Sequence, residues 1–190
     1  MISTDTVPPS ASLAVMSKIR IATLDASPQI LESLSEILIE VVANGGSVSF
    51  MDPLSLETAS AFWKASLAAA IRGKRVVLGA FDEENLVGTV TLLLDCPPNQ
   101  PHRAEIAKMM TRMSHRGRGV ATALMQAAER LAVEKGRTLL VLDTAADEGA
   151  SSFYERLGFT LAGVIPDYAY KPQGGLTATM IYWKRLGLVP

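Results

Sequence analysis

The chain has 190 residues, 48% hydrophobic and 19% charged, with 18 basic and 19 acidic residues and a formal net charge of -1. This length and composition predict a single domain over residues 18–190, preceded by a flexible tail over 1–17 that is rich in Ser, Thr, Ala and Pro. The charge balance argues against nucleic acid as a partner. The lack of an apolar run of about 20 residues argues against a membrane.

The cysteine and histidine content bears on the compartment and on metal binding. The single cysteine, Cys96, has no partner for an internal disulfide, and the sequence begins without an export signal, so we predict a cytoplasmic protein. His102 and His115 lack the spacing and the cysteine or acidic partners of a metal site. We therefore expect no metal ion.

Hydrophobic periodicity and turn residues divide the chain into seven strands and four helices. The order is one strand, two helices, three strands, a helix, a strand, a helix and two strands. The predicted strands are 18–23, 75–81, 86–94, 103–112, 138–143, 159–165 and 178–184. The predicted helices are 28–43, which Ser27-Pro28 opens, followed by 56–71, 117–135 and 147–157.

The segment with the clearest chemistry is Arg116-Gly117-Arg118-Gly119-Val120-Ala121, where a strand hands over to a helix. Glycines let the backbone approach a ligand, and the free N–H groups of a first helical turn bind anions. Arg116 and Arg118 add charges that pair with phosphate oxygens. Because the Walker lysine is missing and Thr122 replaces the third glycine of the dinucleotide pattern, nucleotide hydrolysis and hydride transfer are disfavoured.

The segment resembles the pyrophosphate-binding motif Gln/Arg-x-x-Gly-x-Gly/Ala of the GNAT superfamily of acetyl-CoA-dependent N-acetyltransferases, with Arg116, Gly119 and Ala121 in its fixed places. Residues 153–159 are similar to the second family signature, and residues 99–105 and 164–168 resemble the tabtoxin resistance acetyltransferase group. The resemblance implies an α/β fold, in which a mixed, largely antiparallel central sheet of six to seven strands is flanked by about four helices.

The resemblance also implies which residues hold acetyl-CoA. The strand before the turn contributes main-chain groups, and the turn itself holds the phosphates. The expected residues are Met109, Met110, Thr111, Arg116, Gly117, Arg118, Gly119, Val120, Ala121 and Thr122. Asp147 stands where family members often have an asparagine that contacts the cofactor, and we interpret it as a helix N-cap.

Acetyl transfer from a thioester to an amine needs a base for the amine proton. Glu105 and Asp143 lie on the strands that flank the turn helix, and the resemblance implies that these strands are neighbours that splay apart. Both carboxylates are therefore candidate bases facing one cleft, and their repulsion would raise the proton affinity of one of them. Alternatively, Glu105 is a solvated strand residue, and Asp143 caps or pairs with Arg103 or Lys108.

Tyr154 stands where GNAT enzymes commonly place a tyrosine near the cofactor sulfur. A phenol of pKa about 10 can protonate a thiolate whose conjugate acid has a pKa of about 8.5. A packing role beside Phe153 and Phe159 is equally consistent with the sequence. Both roles of Tyr154 stay open at this point.

These features predict an N-acetyltransferase that moves an acetyl group from acetyl-CoA directly onto a primary amine of a small molecule. The resemblance suggests an amino-acid-like or β-lactam toxin as the acceptor. The alternatives are a non-catalytic acyl-CoA-binding sensor and a protein N-terminal or lysine acetyltransferase. The aromatic residues of the C-terminal hairpin border the acceptor pocket, join a second copy in a homodimer, or pack within the fold; they are Tyr168, Tyr170, Tyr182 and Trp183.

Overall fold

In the computed structural model, the described residues 19–146 and 149–187 form a seven-stranded sheet with four helices and one 3-10 turn. The strands are β1 Arg20–Thr23, β2 Arg75–Asp82, β3 Asn85–Leu93, β4 Arg103–Thr111, β5 Leu139–Ala145, β6 Thr160–Tyr170 and β7 Leu176–Arg185. The helices are α1 Pro28–Ala43, α2 Leu56–Ile71, α3 Val120–Glu134 and α4 Ser151–Arg156, and the 3-10 turn is Met113–His115. The predicted tail and Asp147 lie outside the described residues.

The sheet is mixed, with the strand order β1-β2-β3-β4-β5-β7-β6. Every neighbouring pair is antiparallel except β4 with β5. The predicted fold class is therefore confirmed. The parallel pair is short, because its register runs only from Arg103 opposite Leu139 to Glu105 opposite Val141. Beyond Glu105 the two strands share no register, and the sheet opens at its centre.

Helices cover both faces of the sheet. One core lies beneath α3 and α4 and includes Leu124 and Leu140, and a second lies beneath α1 and α2 and includes Trp63. Because both faces are covered, polar residues of the central strands are buried as well. Thr89 of β3 is fully buried, and its hydroxyl donates a hydrogen bond to the carbonyl of Leu78 at 2.8 Å.

Local residue chemistry explains which predicted boundaries hold. α2 has its predicted bounds because Ser55 caps it, accepting a hydrogen bond from the N–H of Thr58 at 3.1 Å. The prediction that the next helix begins at Gly117 is wrong. Gly117 and Gly119 adopt left-handed φ angles of 74° and 80°, so α3 begins at Val120. The closing strands β6 and β7 are longer than predicted because they pair with each other as a hairpin.

Candidate functional site

A bulge in β4 shapes one side of the opening in the sheet. Val90 of β3 lies opposite two residues of β4, Lys108 and Met109. Lys108 has a left-handed φ of 51°, which non-glycine residues seldom adopt. The bulge also reverses the side-chain alternation, since Ile106 belongs to the core beneath α3, whereas Met110 belongs to the core beneath α1 and α2.

A cavity of about 700 Å³ occupies the opening. Its wall combines the loop after α1, the bulged half of β4, the end of β5, the turn before α3, and one face of α4. The described lining residues are 41, 44–49, 106–111, 115–117, 119–122, 142–144, 150, 153, 154 and 156. Segments that are far apart in sequence thus enclose one space.

The turn before α3 has the features of an anion site. Gly119 is the N-cap of α3 and makes no side-chain cap hydrogen bond, so no cap side chain satisfies the first-turn N–H groups. A Cβ added to Gly117 or Gly119 would meet no protein atom within 4 Å, which leaves the space in front of the turn open. The hydroxyl of Thr111 is also buried without a partner among the described residues. These groups suit a phosphorylated ligand.

Nine of the ten predicted cofactor residues line this cavity, from Met109 on β4 to Thr122 on α3. The exception is Arg118. Its side chain is 60% exposed and lies 4.0 Å from the carboxylate of Asp82. Arg116 does line the cavity, so the structure places one of the two predicted arginines there.

Two ion pairs and a main-chain hydrogen bond join the turn to α1. Arg112 donates hydrogen bonds to Glu36 at 2.7 Å and to Glu40 at 3.1 Å. Glu40 also accepts a hydrogen bond from the N–H of Met113 at 2.6 Å. This clamp, defined by Arg112, Glu36 and Glu40, fixes the start of the turn against the opposite layer of helices.

The two predicted carboxylates differ in their surroundings. Asp143 lines the cavity, and its Oδ2 accepts a hydrogen bond from the hydroxyl of Thr179 at 3.4 Å. Glu105 is not among the lining residues, and its carboxylate lies 3.3 Å from the guanidinium of Arg103. Both attract the ammonium of Lys108 electrostatically. The catalytic roles of Asp143 and Glu105 stay predictions.

Tyr154 both packs in the core and lines the cavity. It is 6% exposed, and its ring contacts those of Phe153, Phe159 and Tyr182 at centroid distances of 5.1, 6.0 and 5.8 Å. It is also part of the cavity wall. The structure is therefore compatible with either predicted role, and the proton donor role stays a prediction.

Among the residues of the cavity that the sequence did not predict are Lys108 and the loop after α1. The Lys108 ammonium donates a hydrogen bond to the hydroxyl of Ser49 at 3.0 Å and lies 5.9 and 5.6 Å from the ring centroids of Phe50 and Phe62. Burial lowers the pKa of Lys108, and the attraction of Asp143 opposes that shift. The sequence signal was a lone lysine within an otherwise apolar half of β4.

The C-terminal aromatic residues are not among the residues that line the cavity. Tyr182 is fully buried in the core, whereas Tyr168 and Tyr170 of β6 are 56% and 64% exposed. In the described part of the chain, no group of three or more His, Cys, Asp or Glu residues could hold a metal ion. No described helix has the length and apolar character needed to cross a membrane.

Comparison with known proteins defines the class to which this fold and cavity belong. Residues 47–159 match the Acetyltransferase (GNAT) family, which is more than half of the chain. The chain therefore belongs to the GNAT acetyltransferase family, a family of N-acetyltransferases that use acetyl-CoA. The narrower resemblance to the tabtoxin resistance group stays a prediction.

Individual relatives cover different kinds of acceptor. N-alpha-acetyltransferase 30 of Schizosaccharomyces pombe is 38% identical over 81 residues, which cover 42% of this chain and 54% of the relative. Streptothricin acetyltransferase of Escherichia coli is 31% identical over 107 residues, which cover 55% of this chain and 59% of the relative. The chain thus spans little more than half the length of these curated relatives.

Solved structures share the fold over nearly their whole length. An N-acetyltransferase from Staphylococcus aureus Mu50 has a TM-score of 0.76 at 21% identity, covering 90% of this chain and 100% of its own. The yncA protein of Salmonella typhimurium, whose structure includes its cofactor acetyl-CoA, has a TM-score of 0.71 at 17% identity, covering 88% and 94%. At these identities the likeness concerns the fold.

Proposed function

We propose that this chain binds acetyl-CoA in the cavity and catalyses direct transfer of the acetyl group onto a primary amine of a small molecule. The observation that carries the proposal is one cavity that joins the anion-binding turn before α3 to the opening between β4 and β5. Asp143 and Tyr154 both line that cavity. An anion site, a gap in the sheet and two proton-transfer groups are what a two-substrate acyl transfer needs.

The residues that would hold acetyl-CoA fit its chemistry. The first-turn N–H groups of α3 and the side chain of Arg116 suit the phosphates. Beyond Glu105, β4 has no registered partner on its β5 side, so its main-chain groups there are available to a ligand. Acetyl-CoA itself supplies the thioester carbonyl. Main-chain N–H groups at Met109 and Met110 would stabilise the negative charge that develops on the carbonyl oxygen.

Asp143 is the base that this proposal favours. It lines the cavity on β5, and Leu142 beside it is buried in the core beneath α3, so the strand alternation directs Asp143 to the opposite face. From there it accepts the proton of the acceptor amine. Glu105 lies outside the lining, so it would act through a bridging water or through its electrostatic attraction on the Lys108 ammonium. Tyr154 would donate its phenolic proton to the leaving sulfur.

The acceptor end of the cavity is the part lined by Lys108 and by residues 44–49 of the loop after α1, and the contacts around it favour a small molecule as the acceptor. The end of α1 is joined to the loop between β6 and β7, because Gln173 donates hydrogen bonds to the carbonyls of Val42 at 3.1 Å and Ala43 at 3.3 Å. The N–H of Asp52 also donates to the carbonyl of Pro172 at 2.9 Å. Two loops held together in this way favour a compact acceptor over a continuous polypeptide.

Two measurements test the proposal. Calorimetric titration with acetyl-CoA should show binding, and Gly119→Glu should weaken it at least about 10-fold, because the new carboxylate would repel the phosphates. Unchanged affinity in this variant would contradict the assignment of the turn. Release of free thiol is then followed with small amines and with N-terminal peptides. Turnover only with peptides would indicate a protein acetyltransferase, and binding without any turnover would indicate the sensor.

A further inference from the structure

We infer that the acceptor end of the cavity contains an anion subsite centred on Lys108, and that the small-molecule acceptor carries a carboxylate beside its amine. This inference rests on the proposed acetyl transfer and names the class of acceptor.

The position of Lys108 is built into the fold. The β4 bulge holds its backbone in the left-handed region, and Ser49, the residue that accepts its hydrogen bond, also has a left-handed φ of 73°. Strained non-glycine residues persist where the surrounding structure holds them, and they concentrate at functional sites. Here two such residues face each other across the acceptor end, and both line the cavity. The Lys108 ammonium is thus presented to the cavity at a fixed place.

The charge of Lys108 is incompletely balanced. Within residues 19–146 and 149–187, no carboxylate lies within 4.0 Å of its ammonium. Its close contacts are a neutral hydroxyl and the faces of Phe50 and Phe62. A half-buried cation in such surroundings gains from an anionic partner, because burial has removed part of its hydration. A carboxylate on the bound acceptor would supply that partner.

Asp143 makes the subsite selective for a molecule with two charges. It lines the same cavity and exerts the largest electrostatic attraction on the Lys108 ammonium. The acceptor amine would bind at Asp143, where its proton is removed, while the carboxylate would bind at Lys108. An amine without a carboxylate can pair with Asp143 but not with Lys108. The structure therefore favours amines with a nearby carboxylate over the corresponding amides, which lack that negative charge.

The experiment compares amines that differ only in this group. The protein saturated with CoA is titrated with glycine and glycinamide, with β-alanine and β-alaninamide, and with larger amino acids and their amides. We expect the carboxylate member of at least one pair to bind about 10-fold or more tightly than its amide, as a charge-assisted hydrogen bond provides. Lys108→Gln should bring that ratio close to one, and Lys108→Arg should retain most of it.

Two control variants separate a charge effect from a structural one. Ser49→Ala removes the hydrogen bond that holds the loop but keeps the cation, so the ratio should be retained. Lys64→Gln removes one positive charge from an exposed position of α2 and should change nothing. Equal affinity for both members of every pair in the unaltered protein would overturn the subsite. So would an unchanged ratio in Lys108→Gln, or failure of every carboxylate amine to bind while CoA binds.

The pH dependence gives an independent readout. The charged groups that act electrostatically on Lys108 are Asp143 of β5 and Glu105 of β4, which attract its ammonium, and Arg75 of β2, which repels it. Burial lowers the pKa of Lys108, so its charge is lost at a lower pH than that of an exposed lysine. Carboxylate affinity should therefore fall, as the pH rises through that pKa, more steeply in the unaltered protein than in Lys108→Gln, because both proteins bind the same amine at Asp143. Failure of CoA to bind would instead contradict the proposed function, and the amine pairs titrated against the protein alone would still test the subsite.

Discussion

At the residue scale, Asp143 and Glu105 allow a matched comparison of two carboxylates. Each attracts Lys108, but only Asp143 lines the cavity. Asp143→Asn should lower kcat by about 10²-fold or more, as loss of a general base does, with acetyl-CoA affinity unchanged. Glu105→Gln removes the same charge outside the lining and should have a much smaller effect. Stopped-flow or steady-state thiol release measures both, and an equal loss in the two variants would indicate that the carboxylates act as a pair.

Tyr154 invites a similar separation of chemistry from packing. Tyr154→Phe keeps the ring that contacts Phe153, Phe159 and Tyr182 but removes the hydroxyl. The free energy of unfolding should change by no more than about 1–2 kcal/mol, the value of one hydrogen bond. If the phenol protonates the leaving sulfur, kcat should fall by about 10²-fold. Full turnover in Tyr154→Phe would assign the residue to packing alone.

The difference between predicted and missed site residues has a physical cause. Gly119 and Ala121 were predictable because a close backbone approach and an anion-binding helix start demand small residues at a fixed spacing. Lys108 and Ser49 were not, because their left-handed conformations occur in residue types that carry no local signal for them. The bulge that places Lys108 depends on pairing with β3, which is a contact distant in sequence.

At the element scale, the start of α3 depends on the conformation of Gly119. An alanine at φ 80° costs about 1–2 kcal/mol of left-handed strain. Gly136 after α3 has a φ of 68°, and a Cβ there also meets no atom within 4 Å. Gly119→Ala and Gly136→Ala should therefore destabilise the fold alike by chemical denaturation. Only Gly119→Ala should weaken acetyl-CoA binding, since its Cβ enters the proposed phosphate site. Equal affinities for acetyl-CoA in the two variants would contradict the assignment of the turn to the acetyl-CoA site.

The clamp between α1 and the turn makes a second prediction at this scale. Glu40 accepts from both Arg112 and the N–H of Met113, whereas the more exposed Glu36 accepts only from Arg112 in the contacts above. Glu40→Gln should lower the free energy of unfolding by about 1–3 kcal/mol, because it weakens hydrogen bonds to a charged group. Glu36→Gln should cost less than about 1 kcal/mol. Urea denaturation measures both, and a reversed order would show that the clamp does not hold the turn.

Helix and strand boundaries were predictable where one residue determines them. Ser55 fixes the start of α2 through a local hydrogen bond, so the sequence alone was sufficient. The start of α3 was missed because the glycine-rich turn continues past the first glycine of the motif. Thr89 and Thr91 of β3 carry no local sign of burial, yet both are buried because helices cover both faces of the sheet. Such layering depends on tertiary packing, which no local pattern contains.

At the scale of the whole molecule, the opening between β4 and β5 lies between the two helical layers. The cavity in it is lined by residues of α3 and α4 from one layer and by the loop after α1 from the other. The two strands are joined directly only near Arg103 and Glu105, so a ligand in the opening adds contacts that the protein alone does not make. Ligand binding should therefore stabilise the whole fold and not the turn alone.

Thermal unfolding with acetyl-CoA tests this coupling. At a ligand concentration of about 100 times the Kd, linkage contributes about 2.7 kcal/mol, which corresponds to a rise in Tm of about 5–10 °C for a domain of this size. Lys64→Gln, on the exposed face of α2, should show the full shift. Gly119→Glu should show little or none at the same concentration, because its affinity is reduced. An unchanged Tm at ligand concentrations that saturate the protein by calorimetry would mean that the ligand binds the folded and unfolded states with equal affinity. In that case the cavity that the folded chain forms would not be the binding site.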